Sequence, residues 1–337
     1  MAAQQLLTEE AIPAYLRGLG LVREGEPVAL SGAGDGNINW VRRVAIAGER
    51  PRSFVLKQAR PALERFPQYA APTERLLFEA LWFELASVHD ADAICPRVLA
   101  LDEANRVLVL EDLTGAERLD AALARSADVT ARMESLARFL ARVHAATEGD
   151  LSLPARFPND AMRRLHGDHI FVLPYRENDF GLTARVEAAA REVRAERALG
   201  AAAERAYARY LVKTGALVHA DVQAGNILLP ASGGVKLLDA EIAHAGDAAF
   251  DLGTLLAHLA LPALARGADA GALVARVRDA YRRERGAGDA LLARAQQYGG
   301  FELIRRMIGA ARVAAVANDE ASLRVLAAGR AWVRDST

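Results

Sequence analysis

Asp221, Asn226 and Asp239 are the side chains of this sequence whose types and spacing best suit chemistry. The first two lie in Leu217-Val218-His219-Ala220-Asp221-Val222-Gln223-Ala224-Gly225-Asn226-Ile227-Leu228-Leu229. Asp239 opens Asp239-Ala240-Glu241, just after Val235-Lys236-Leu237-Leu238. Short apolar runs around a polar loop predict a hairpin, with Asp221 and Asn226 at one end and Asp239 emerging from its other strand. Three oxygen-bearing side chains would then meet on a rigid support. A carboxylate that orients a hydroxyl, with an amide and a carboxylate that hold magnesium, is the equipment of phosphoryl transfer. In this reading Asp221 is catalytic, Asn226 and Asp239 bind metal, and Glu241 completes the shell. His219 is structural and fixes the loop by hydrogen bonding. The competing explanation is a turn rich in polar residues by chance.

A second candidate stands in Ser53-Phe54-Val55-Leu56-Lys57-Gln58. Lysine occurs only at Lys57, Lys213 and Lys236, among 42 basic residues. In a chain so biased toward arginine, a lysine inside an apolar strand pattern suggests a required compact ammonium, although one snorkelling at a strand end would look the same. One strand earlier lies Ser31-Gly32-Ala33-Gly34-Asp35-Gly36-Asn37-Ile38-Asn39. Its alternating glycines would let backbone N–H groups approach phosphates. Loop, strand, turn, then strand with lysine is the order of a kinase nucleotide lobe. The cofactor contacts expected there are Gly32, Gly34, Asp35, Gly36, Asn37 and Lys57. Glu79 would hold Lys57 from the next helix, with Glu74 and Glu84 as competitors; the alternative is a solvated glutamate paired locally with Arg75. Glu111 and Leu113 would present backbone groups to an adenine edge.

Two arginines, Arg305 and Arg306, interrupt an apolar helical run. Neighbouring helix residues point about 100° apart, so at least one must face a partly buried region and needs an anion. A salt bridge or contact with the substrate would each supply one. Asp251, in Phe250-Asp251-Leu252-Gly253, is expected to cap a helix or to receive N–H groups from the Asp221 loop.

The elements that must position these residues fall into two parts. Residues 1–113 mix strands at 27–30, 38–46, 53–57, 96–101 and 106–110 with helices. One short helix ends at Leu19 with Thr8 as cap, and another covers 73–88 with Thr73 as cap. Beyond Gly115 the chain turns helical and alanine-rich, with periodic segments at 128–147, 184–212, 247–260, 269–285 and 288–333. The hairpin is the only clear strand pair there. Residues 151–179 read as an irregular excursion beside the substrate pocket.

Composition sets the outer limits. The 337 residues are 52% apolar, ample for a core, with a net charge of -1. No global field recruits nucleic acid or an anionic membrane. Cys95 is the single cysteine, so no internal disulfide forms. The N-terminus lacks signal-peptide regions, and the longest apolar stretch, 252–265, is too short for a span. A cytoplasmic protein is expected.

Together these residues resemble the aminoglycoside phosphotransferase superfamily, and within it the 5-methylthioribose kinases. Gly34-Asp35-Gly36-Asn37-Ile38-Asn39, Val55-Leu56-Lys57-Gln58-Ala59, Leu110-Glu111-Asp112-Leu113, the 219–227 loop, Asp239-Ala240-Glu241, Phe250-Asp251-Leu252-Gly253 and Ile304-Arg305-Arg306-Met307-Ile308-Gly309 carry the likeness. The resemblance implies an α+β, protein-kinase-like two-lobed fold: a mixed nucleotide-binding lobe over 1–113 and a mainly helical catalytic and substrate-binding lobe over 114–337. It implies ATP and Mg2+, phosphorylation of a sugar's anomeric hydroxyl, and Asp221, Gln223, Arg305 and Arg306 on the substrate side. The partner is a small hydroxylated molecule, with a homodimer left open. The family's loop usually reads His-Gly-Asp-Leu-His-Thr-Gly-Ser, so Ala220 replaces a glycine and Gln223 a histidine; Ala240 replaces a proline. An aminoglycoside, choline or homoserine-type kinase is the alternative, and a non-catalytic nucleotide-binding protein is the other.

Overall fold

The computed structural model describes residues 4–32, 39–48, 50–62, 71–310, 313 and 316–336. Helix α1 (Ile12–Gly18) precedes β1 (Val28–Gly32), β2 (Trp40–Ile46) and β3 (Arg52–Gln58). Helix α2 (Arg75–Ser87) follows, then β4 (Val98–Asp102) and β5 (Val107–Glu111). The five strands form one antiparallel sheet in the order β1-β2-β3-β5-β4. Strand alternation divides its cores. Val107 and Val109 join Ile12, Leu16, Val44 and Leu56 on one face. Leu108 and Leu110 join Leu76, Trp82 and Phe83 in the large core that continues into the helical part.

That part begins with the short strand β6 (Glu117–Arg118) and α3 (Leu119–Ala124), then α4 (Thr130–Thr147) and α5 (Leu153–Arg156). Helices α6 (Asp160–Phe171), α7 (Ala184–Ala195) and α8 (Arg197–Tyr210) lead to strand β7 (Ala216–Val218). Strands β8 (Ile227–Leu229), β9 (Lys236–Leu237) and β10 (His244–Gly246) precede α9 (Ala249–Arg266), α10 (Gly271–Arg285), α11 (Asp289–Ile308) and α12 (Asp319–Arg334). Helices α9 and α11 cross closely: a Cβ on Gly299 would stand 2.8 Å from the Gly253 carbonyl. This crossing brings His258 of α9 against the arginine pair of α11. No described helix is long and apolar enough to cross a membrane.

Several expectations need correction. Strands β8 and β9 form the predicted hairpin, but β7 pairs with β10 instead, and β8 also pairs with β6. The runs flanking the Asp221 loop thus belong to different sheets, and the hairpin is not the only strand pairing. The 151–179 excursion contains α6, whose buried Met162, His166, Ile170 and Phe171 form a helical stripe diluted by charged neighbours. The 184–212 segment breaks at Glu196, which is extended, and 288–333 breaks after Ile308. Neither Thr8 nor Thr73 caps as expected: Thr8 makes no side-chain cap bond, and Glu74 occupies the α2 cap position.

Candidate active site

The Asp221 loop is hung from one buried carboxylate. Asp251, in the first turn of α9, accepts the His219 N–H at 2.7 Å and the Ala220 N–H at 2.8 Å. His144 of α4 stands 3.1 Å from the same carboxylate and bonds Tyr281 through its other nitrogen. Asp251 thus receives loop N–H groups, while Ala248 holds the cap position of α9. His219 Nδ1 accepts the Asp221 N–H, and its Nε2 meets the Leu238 carbonyl at 3.0 Å. Those partners set the Nε2–H tautomer. The ring also packs edge-on to Trp82 of α2 at 4.8 Å. Burial lowers the His219 pKa to about 4, so the imidazole is neutral.

Two backbone positions here lie in the left-handed region without being glycine: Ala220 at φ 67° and Asp239 at φ 64°. Each costs about 1–2 kcal/mol relative to a right-handed conformation. The glycine of the resembling loop would sit at Ala220 without that cost, and here the Asp251 hydrogen bond holds the residue in place.

Asp221 Oδ2 receives Asn226 Nδ2 at 2.8 Å and Gln223 Nε2 at 3.1 Å. Burial pushes the Asp221 carboxyl up to about 6, against the pull of Arg305 and Arg306. Asn226 turns its NH2 toward Asp221, which leaves its amide oxygen facing elsewhere. The Leu238 N–H donates to the Asn226 carbonyl at 2.9 Å. This bond sets Asp239 beside Asn226.

Lys57 reaches the site from β3. Its ammonium lies 2.7 Å from Glu79 Oε2 and also donates to Asp239 Oδ1. Burial opposes that charge, yet Asp239, Glu79 and Glu241 hold the ammonium above its ordinary range. Burial pushes Glu79 up to about 7 despite the Lys57 charge. Arg75 approaches Glu241 Oε2 at 3.3 Å, and Asn39 donates to the same oxygen at 2.9 Å. One oxygen of Glu241 is therefore committed inside the protein. Three acids, Glu79, Asp239 and Glu241, face two cations, Lys57 and Arg75. Asp239 keeps 46% of its side chain exposed.

The arginine pair finds its anion inside the protein, as the salt-bridge reading expected. Glu302, one helical turn earlier on α11, binds Arg305 Nε at 2.5 Å and Arg306 Nε at 2.7 Å. His258 Nε2 stands 3.0 Å from the same carboxylate. Burial would raise the Glu302 pKa, but the two guanidiniums hold it well below the usual range. Arg306 Nη2 also donates to Gln223 Oε1 at 2.6 Å.

Glu111 is drawn into the scaffold. Its carboxylate binds Lys236 at 2.6 Å and Arg97 at 3.0 Å, and its N–H donates to the Arg97 carbonyl. That removes its N–H as a nucleotide contact. Leu113 is half-buried, and among the described residues its N–H has no backbone partner. Gly32 ends β1; Gly34, Asp35, Gly36 and Asn37 lie outside the described residues.

Glu302 was legible from spacing, three and four residues before the arginines. His144 and His258 carried no local signal, because their partners are distant in sequence; Arg75, expected as a local partner of Glu79, reaches Glu241 and Asn39.

Residues 30–295 match the phosphotransferase enzyme family described by the label APH. The chain belongs to this phosphotransferase family. Among curated relatives, a methylthioribose kinase of Yersinia enterocolitica is 29% identical over 358 residues, covering 91% of this chain and 87% of that protein. A methylthioribose kinase of Geobacillus kaustophilus is 26% identical over 273 residues, covering 77% and 67%. The solved choline kinase of Streptococcus pneumoniae shares the fold, with a TM-score of 0.54 and 13% identity over 97% of this chain and 99% of that one. The phosphotransferase family and the kinase-like fold agree with the α+β, two-part reading of the sequence.

Proposed function

We propose that this phosphotransferase is an ATP-dependent kinase of a small neutral sugar, with 5-methylthioribose or a close relative as acceptor. The observation that carries the reading is the convergence of Asp221, Asn226 and Asp239 with the Lys57–Glu79 pair. Asp221 orients the acceptor hydroxyl and takes its proton as the oxygen attacks the terminal phosphorus of ATP. Lys57, steadied by Glu79, turns from Asp239 to the nucleotide phosphates. In this reading residues 32–37 and Leu113 contact the nucleotide from the 1–113 lobe, and the 114–337 lobe holds the acceptor.

Asn226 and Asp239 are the residues that would hold Mg2+. Amide and carboxylate oxygens are the hard donors this ion takes, and the acids around Lys57 exceed the cations by one. Magnesium supplies charge neutralisation at the phosphate oxygens. Glu241 has only its second oxygen to add.

The substrate reading rests on charge as well as on the relatives. Arg305 and Arg306 are balanced by Glu302 and Asp221, so the cluster offers no surplus positive charge for an anionic acceptor. It also offers no acidic lining for a polycationic aminoglycoside. An ADP-release assay across methylthioribose, other pentoses, choline, homoserine and kanamycin tests this. Turnover is expected with methylthioribose or a related sugar; turnover with kanamycin or choline alone overturns it.

A further inference from the structure

We infer that Gln223 is a positioning residue that couples Arg306 to Asp221 and fixes the plane in which the carboxylate turns its free oxygen to the acceptor hydroxyl. The inference rests on the assignment of Asp221 as the catalytic carboxylate.

Both side-chain donors to Asp221, Asn226 Nδ2 and Gln223 Nε2, fall on Oδ2. Among the described residues no hydrogen bond falls on Oδ1. The terminal torsion of an aspartate is broad, so one donor leaves the carboxylate plane free to rock. Two donors from different residues pin the group and present Oδ1 to the acceptor.

Asn226 is fixed by the loop itself: its Nδ2 also bonds the Asp221 carbonyl at 3.0 Å. Gln223 is fixed from outside. Its Oε1 accepts Arg306 Nη2 at 2.6 Å, and Arg306 is locked to Glu302, which His258 also holds. The partners dictate the amide's orientation, because the carboxylate requires its NH2 and the guanidinium requires its oxygen. A chain of four side chains thus runs from helix α9 through α11 to the reacting group. Gln223 and Arg306 serve it as support, in place of the direct substrate contacts expected from the resemblance.

Glutamine does this without titrating. A neutral histidine, the residue usual at this position in the resembling loop, has one donor and one acceptor and can imitate it; glutamate can satisfy only Arg306.

Steady-state kinetics on the full chain test the proposal. Gln223→Glu keeps the shape and the Arg306 bond but loses the donor to Asp221, and half-buried Gln223 tolerates it in the fold. Its kcat should fall by roughly tenfold to a hundredfold with KM for ATP and for the acceptor within about twofold. Gln223→Leu should behave likewise, and Gln223→His should recover most of the loss. In the Gln223→Leu/Arg306→Lys double variant, the loss should be no larger than in the worse single variant, because both break one chain. Parental kcat in Gln223→Glu, a loss confined to the acceptor KM, or additive losses in the double variant would each overturn the inference. Parental activity in Asp221→Asn would instead sink the assignment of Asp221 itself.

Discussion

The Lys57 ammonium stands 2.7 Å from Glu79 Oε2, with side-chain exposures of only 6% and 1%. A pair so buried contributes little net stability while intact, but either half alone is an uncompensated charge. Lys57→Met should therefore destabilise the fold by about 3–5 kcal/mol in urea denaturation. Adding Glu79→Leu should recover much of that stability without restoring turnover. A double variant as unstable as Lys57→Met would show that the pair matters for packing rather than charge.

Asp221→Asn should separate activity from stability. Loss of the proton acceptor should lower kcat by roughly 10²–10⁴ with KM for ATP unchanged. The folded carboxyl has its pKa raised to about 6, so ionisation at neutral pH opposes folding. Removing that ionisation should leave the melting temperature at pH 7.5 equal to or above the parent's. A marked drop in melting temperature would contradict this.

Asp251 predicts a steeper dependence on side-chain chemistry. Asp251→Ala strands the His219 and Ala220 N–H groups in the interior, at about 1–3 kcal/mol each. Asp251→Asn keeps one acceptor and should lose less. Chemical denaturation of the two variants should rank alanine below asparagine, and both below the parent.

The buried histidines set an acid limit. His219 has a folded pKa lowered to about 4, against an unfolded value near 6.5. The unfolded state binds more protons between those values, so this contribution is complete above about pH 6.5 and is lost as pH falls toward 4. The His219 share is roughly 3 kcal/mol. Nitrogen-resolved NMR should find His219 as the Nε2–H tautomer at pH 7, titrating near 4 if the fold persists. A His219 titration near 6.5 in the folded chain would refute the burial argument.

Much of the site was legible because its chemistry is local. Asp221, Asn226 and Asp239 sit within one stretch, and Lys57 stands out in a chain with three lysines. Strand alternation and helical periodicity also gave most elements, since both reflect short-range geometry. What sequence could not reveal is pairing across distance. His144 finds Asp251 from 107 positions away, and Asn39 finds Glu241 from 202. Strand β7 and strand β8 flank one loop, yet β7 pairs with β10, the polar and glycine-bearing His244–Gly246, and packs against α4. Helix α6 was hidden because histidine, arginine and glycine occupy positions on its buried face.

That divided pairing has a mechanical consequence. Asp221 follows β7 and moves with the β7–β10 sheet, whereas Asn226 leads into β8 and moves with the β6–β8–β9 sheet. The latter is fastened to the segment before β4, through Leu237 N–H on the Ile94 carbonyl and Lys236 on the Cys95 carbonyl. The 2.8 Å bond between Asp221 and Asn226 is therefore a gauge of how the two sheets are seated against each other. A tilt of one sheet by a fraction of an ångström at the loop parts the carboxylate from the amide, so the chain can be folded throughout and still be disarmed.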